Sequence, residues 1–127
     1  MDKFKFLLSR EFNFDAAHRI VDYSGKCERM HGHTYMLSVT IRGELKKTEM
    51  VLDFAIFKSI VEENIIKKLD HTFLNDMFDN PTTEVIAQWI FNDLSERFKS
   101  YECTLYEVSL SEGANNKVTV RYEGCPE

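Results

Sequence analysis

The sequence predicts an α+β domain, a four-stranded antiparallel sheet with two helices on one of its faces. Residues alternate with period two in two runs near the N-terminus and in two more near the C-terminus. Between them lie two stretches with apolar residues at three- and four-residue steps, so the element order reads β-β-α-α-β-β. At 127 residues the chain has room for one core, and residues 1–127 are expected to form a single domain.

From Phe6 the even positions read Phe6, Leu8, Arg10, Phe12, Phe14, Ala16 and His18, while the odd ones are mostly polar. That is a strand with one buried face that ends on a histidine. Val21 to Lys26 contains Asp22, Ser24 and Gly25 and reads as a turn. The second strand carries His31, His33, Tyr35, Leu37, Val39 and Ile41 on one side. Gly43 to Glu49 is expected to be a polar hairpin loop, after which Val51 and Leu52 return to the core. Asp53 is placed to cap a helix running to Leu69, with Phe54, Phe57, Val61, Ile65 and Leu69 inward and Ile56, Ile60 and Ile66 widening the stripe. Asn80 or Thr82 caps a second helix that ends about Phe98, with Pro81 in its first turn and Val85, Ile86, Trp89, Ile90, Leu94 and Phe98 inward. In the last two strands Tyr106, Val108, Leu110 and Glu112 share a face, Gly113 to Asn116 turn the chain, and Val118, Val120 and Tyr122 close the sheet. The other sheet face is mostly Ser, Thr, Asn, Glu and Arg. It suits either solvent or the wet lining of a channel formed by sheets joined edge to edge.

Composition narrows the function classes. A net charge of −5 argues against a nucleic-acid surface, so an anionic ligand needs a local basic cluster, for which Arg19, Lys26 and Arg29 are candidates. No apolar run approaches the roughly 18 residues of a membrane span, and the N-terminal residues lack a signal-peptide shape, which predicts a cytoplasmic protein without a membrane partner. Three cysteines at irregular spacing fit reduced thiols better than a disulfide framework.

The chemistry concentrates in Cys27-Glu28-Arg29-Met30-His31-Gly32-His33, one thiol and two imidazoles within seven residues. In an extended chain His31 and His33 point the same way, roughly 6.5 Å apart, and can close on one ion. Cys27 can share that cage or stand outside it, and spacing alone does not divide the roles. His18 reads either as a hydrogen-bonded core histidine or as a third ligand. Buried imidazoles from two strands are costly unless hydrogen-bonded or bound to a metal. Asp70-His71 is either a helix end with a solvated ring or a proton-transfer pair. Glu112 is a carboxylate on an apolar face, or a strand end that has reached solvent.

The runs FNFDAAHR, CERMHGHTY, LDHTFLND, NPTTEVIAQWI and SEG, in this order over nearly the whole chain, resemble the family of 6-pyruvoyltetrahydropterin synthase and 6-carboxytetrahydropterin synthase. The resemblance implies the tunnelling fold, in which sheets join into a trimeric barrel and two barrels stack into a hexamer with active sites at subunit boundaries. It implies zinc held by His18, His31 and His33 with an open fourth position, as in catalytic zinc sites. Cys27 is then the general base, Asp70 and His71 a second proton-transfer pair reaching in from a neighbouring subunit, and Glu112 the carboxylate that grips the pterin. Thr82 and Thr83 contact the pterin ring from the helix start, and Lys26 and Arg29 favour the thiolate and the anionic substrate.

The implied substrate is 7,8-dihydroneopterin triphosphate. The three-residue gap between Cys27 and His31 resembles the bacterial carboxy enzymes, which release acetaldehyde and triphosphate on the route to queuosine. The animal pyruvoyl enzymes carry a longer insertion there and eliminate triphosphate without cleaving the side chain. Some relatives use a glutamate where the cysteine would act, and Glu28 adjoins Cys27. A non-catalytic zinc or pterin-binding module, or an aldolase or epimerase of the same fold, are the alternatives.

Overall fold

The computed structural model describes residues 4–20 and 30–123. In chain order its elements are β1 (Phe6–His18), β2 (His31–Gly43), helix α1 (Phe54–Val61), β3 (Thr72–Phe73), helix α2 (Thr83–Lys99), β4 (Thr104–Glu112) and β5 (Asn116–Arg121). A π-helical segment, Glu62–Ile66, and a last α-helical turn, Lys67–Leu69, continue α1. The expected architecture holds: β1 pairs antiparallel with β2, β2 with β4 and β4 with β5.

One strand escaped the sequence. β3 runs parallel to β1 at Ala16–Ala17, which makes the order β3-β1-β2-β4-β5. Two residues cannot display a period, so nothing in Thr72-Phe73 announced a strand.

Alternation in β1 and β2 sorts their side chains as expected. Phe12, Phe14, Ala16 and His18 are buried from β1, and Tyr35, Leu37, Val39 and Ile41 from β2, while Glu11, Asn13, Asp15 and Thr34 are exposed on the other face. The helices cover the buried face. Phe57 of α1 meets Phe98 of α2 edge to face with ring centroids 5.4 Å apart, and both are fully buried. Truncating either to alanine should cost about 3–5 kcal/mol.

Asp53 caps α1 as expected, its carboxylate accepting from Ala55 N at 2.7 Å, which contributes about 1 kcal/mol. Val61, Ile65 and Leu69 are all fully buried although they step by four. In an ordinary α-helix that spacing drifts by about 40° per step. The wider π turn keeps them on one line.

Several inward assignments need correction. Phe6 is exposed at the start of β1, Phe54 and Ile56 in the first turn of α1, and Val85 at the start of α2. Thr82, not Asn80, caps α2, accepting from Val85 N at 3.1 Å, so Pro81 precedes the helix instead of opening it. In β4 the register shifts opposite Thr40 and Ile41, so that Leu105, not Tyr106, faces the core. This bulge turns Tyr106 towards Arg121, whose guanidinium lies 5.4 Å from its ring centroid. Tyr122 lies beyond β5 and is exposed. The segment after Gly43 is a compact turn, with Glu49 N donating to Lys46 O at 2.9 Å and Lys46 N to Met50 O at 3.1 Å. No helix among the described residues is long and apolar enough to cross a membrane.

Candidate active site

The sheet register assembles the first group of residues. His18 ends β1, His33 lies near the start of β2, and Glu112 ends β4 opposite Tyr35. Strand alternation turns all three side chains to the helix-covered face. Gly113, with φ of +73°, then reverses the chain in a conformation that glycine adopts without strain, and its N–H donates to Thr34 O at 3.1 Å.

His18 is 1% exposed. Its Nδ1 lies 2.9 Å from the Pro81 carbonyl, and because a carbonyl only accepts, Nδ1 carries the proton. Nε2 is therefore the basic nitrogen, and it lies 3.5 Å from Glu112 Oε2. His33 Nε2 lies 3.4 Å from Glu112 Oε1, and Thr83 Oγ1 donates to Glu112 Oε2 at 3.1 Å. The imidazole–carboxylate separations exceed the roughly 2.7–2.9 Å of a charge-assisted hydrogen bond. One donor atom from each of His18, His33 and Glu112 lies within 4.8 Å of the others, so the three can hold a metal ion. The donor set fits one: two imidazoles, one with its far nitrogen held by a carbonyl, and a carboxylate.

The second group sits at the sheet edge. Asp70 and His71 follow the last turn of α1, with His71 in a left-handed conformation at φ of +60°. The backbone of Asp15 holds both: its N–H donates to Asp70 Oδ1 at 2.9 Å, and its carbonyl accepts from His71 N at 2.6 Å. Asp70 Oδ2 lies 3.0 Å from His71 Nδ1. The Asp15 N–H holds the Asp70 carboxyl below the usual carboxylate range; burial opposes it, and His71 adds a further lowering. The Asp15 carboxylate accepts from Thr34 Oγ1 at 2.6 Å on the face opposite His18. An open cavity of about 470 Å³ is lined by Asp15, Gly32, His33, Thr34, His71 and Thr72.

The structure thus brings His18, His33, Glu112 and Thr83 together and places Asp70 with His71. Thr82 spends its hydroxyl on the helix cap. Lys26, Cys27, Glu28 and Arg29 lie outside the described residues, as does the side chain of His31. Cys103 is buried, which pushes its thiol up, and Lys46 only partly offsets this.

Three contributors escaped the sequence. The Pro81 carbonyl could not be read, since a backbone atom leaves no residue signal. Asp15 and Tyr35 stand inside the quoted motifs, but nothing in their spacing tied them to a neighbour in space.

The chain matches the family model described as 6-pyruvoyl tetrahydropterin synthase over residues 7–123. It is 38% identical over 97 residues to the 6-carboxy-5,6,7,8-tetrahydropterin synthase of Synechocystis sp., an alignment covering 71% of this chain and 75% of that one. It is 42% identical over 101 residues to the dihydroneopterin monophosphate aldolase of Pyrococcus furiosus, covering 80% and 84%. The Caenorhabditis elegans 6-pyruvoyl tetrahydropterin synthase superposes with a TM-score of 0.82 at 27% identity, covering 97% of this chain and all of that one. A match over nearly the whole chain, on a fold that gathers His18, His33 and Glu112 at one end of its sheet, means that the chain belongs to the 6-pyruvoyl tetrahydropterin synthase family.

Proposed function

We propose that the chain, as a single domain, is a zinc-dependent lyase that converts 7,8-dihydroneopterin triphosphate and one water to 6-carboxy-5,6,7,8-tetrahydropterin, releasing acetaldehyde and triphosphate. The observation that carries the metal part is the spacing around Glu112. One ligand atom from each of His18, His33 and Glu112 lies within 4.8 Å of the others, with His18 Nε2 3.5 Å from Glu112 Oε2 and His33 Nε2 3.4 Å from Oε1. His18, His31 and His33 would hold the ion, and Glu112 is close enough to join them before substrate arrives. A bound zinc would supply Lewis acidity towards the hydroxyl oxygens of the substrate side chain.

The chain's own groups would then divide the remaining work. Glu112, steadied by Thr83, accepts two N–H donors from the guanidine-like edge of the pterin, and Thr82 and Thr83 meet the ring from the start of α2. Cys27 takes a proton from the substrate side chain. His71, held by Asp70, returns one on the other side of the reacting bonds. Lys26 and Arg29 offer charge to the triphosphate.

We propose further that subunits join sheet to sheet into a barrel and stack as a hexamer, acting in the cytoplasm on the route to queuosine. Two features support assembly. β5 is an outermost strand, and β1 is covered by β3 only at Ala16–Ala17, so both margins offer backbone groups to another copy. The Asp70–His71 pair also lies by the face opposite the imidazoles, where it can serve a neighbouring subunit's site.

Incubation with dihydroneopterin triphosphate, followed by mass spectrometry, tests the reading. Acetaldehyde and triphosphate should appear together. Triphosphate alone would assign the pyruvoyl chemistry instead. The 42% identity to the Pyrococcus furiosus aldolase favours a second reading. Cleavage of dihydroneopterin monophosphate, with the triphosphate left untouched, would establish it. Zinc bound without turnover of either substrate would leave a binding module.

A further inference from the structure

We infer that Tyr35 is a positioning residue for the metal-binding histidines: its phenol oxygen and the Pro81 carbonyl together keep the proton on His18 Nδ1 and so present Nε2 to the ion. The inference rests on the metal reading above. Tyr35 is fully buried in β2, between Phe14 on β1 and Glu112 on β4. Its ring stacks on Phe14 with centroids 5.0 Å apart and planes 11° from parallel, so its place is set by packing. From there it meets both imidazoles edge to face, at 6.3 Å from His18 and 5.9 Å from His33. The two imidazoles are themselves 5.2 Å apart at 84°.

Tyr35 Oη lies 3.2 Å from His18 Nδ1, and the Pro81 carbonyl lies 2.9 Å from the same nitrogen. The carbonyl can only accept, so Nδ1 is the donor, and the phenol oxygen is a second acceptor for that N–H. A neutral imidazole carries one proton. Two acceptors at Nδ1 oppose its transfer to Nε2, and Nε2 keeps the lone pair that a metal needs. One side chain thereby joins the Pro81 carbonyl in placing the proton of one ligand, and its ring borders both imidazoles. That explains why a polar tip stands in a fully buried row of the sheet.

Tyr35→Phe keeps the ring and its stacking on Phe14 and removes only the oxygen. Two measurements on this variant and the unaltered protein test the inference. Nitrogen-15 NMR of the metal-free protein reads the His18 tautomer, and chelator competition reads zinc affinity. The unaltered protein should hold His18 with its proton on Nδ1. The variant should show a resolvable Nε2–H population and bind zinc about tenfold more weakly, with a melting temperature close to the original. An unchanged tautomer overturns the inference whatever the affinity does, because a loss of affinity alone would mean packing. A changed tautomer with affinity within twofold overturns it as well. If the unaltered protein takes up no zinc, the metal reading fails by itself, and the metal-free tautomer still decides whether Tyr35 places the proton.

Discussion

The two groups of titratable side chains at this end of the sheet are built by opposite means. His18, His33 and Glu112 come from three strands and lie far apart in the chain, brought together only by sheet register, with Glu112 17% exposed and His18 1%. Asp70 and His71 are neighbours in sequence, placed by a helix end and a left-handed turn, and His71 is 79% exposed. The first group is fixed from several sides and mostly buried, with His33 24% exposed, which suits a charge-bearing ion whose ligands must not move. The second is held by the backbone of Asp15 and leaves its ring reachable, which suits a group that must meet a substrate and exchange protons with it. Burial serves binding here, and exposure serves transfer.

The largest expected effect comes from breaking the buried group. His33→Ala should bind no stoichiometric zinc and lose pterin turnover by on the order of 10³-fold, the several kcal/mol that a metal contributes to such a step. Metal analysis beside the activity assay checks it. Zinc retained at one ion per chain, with activity lost, would move His33 from the metal to the substrate and dissolve the contrast.

A smaller loss should follow from the exposed group. His71→Ala should lower kcat by about 10²-fold while zinc content and melting temperature stay as they were, since an exposed ring supports little of the fold. The pair of variants also tests whether the groups work across subunits. Denaturing His33→Ala and His71→Ala chains together and refolding them should restore measurable activity, because some sites then draw intact groups from different copies. No recovery in mixed oligomers would put both groups of one site in the same chain, which the cavity shared by His33 and His71 also permits.

The same contrast explains what could be read from the sequence. Thirteen-residue strands such as β1 and β2 show their alternation plainly, and inward histidines at positions 18 and 33 were legible because each breaks an apolar row. Glu112 was visible for the same reason, although Tyr106 was misplaced because a bulge changes the period without changing residue types. Asp70-His71 was visible as a dipeptide, but its hold on Asp15 was not, since those bonds use the backbone of a residue 55 positions away. Roles carried by a backbone carbonyl, such as Pro81 to His18, leave no trace in side-chain chemistry at all.

The finest distinction is electrostatic and should show in acid. The Asp70 carboxyl is held below its ordinary range, first by the Asp15 N–H and then by His71. A pKa lower in the folded than in the unfolded chain means that the ionised carboxylate stabilises the fold above the unfolded value of about 4, and that this share is lost as pH falls through the lower folded value. Asp70→Asn removes the titration while keeping an oxygen that can accept from Asp15. Urea midpoints of the two proteins between pH 7 and pH 2 should therefore differ by a constant amount down to about pH 5 and converge below about pH 4. The buried group would complicate the absolute curves, because a metal held there would leave its ligands in acid. It would do so in both proteins, so the difference between them isolates Asp70. A gap that persists unchanged to pH 2 would mean that the Asp15 N–H grips the protonated carboxyl as firmly as the ionised one, and that the pair is held by shape and not by charge.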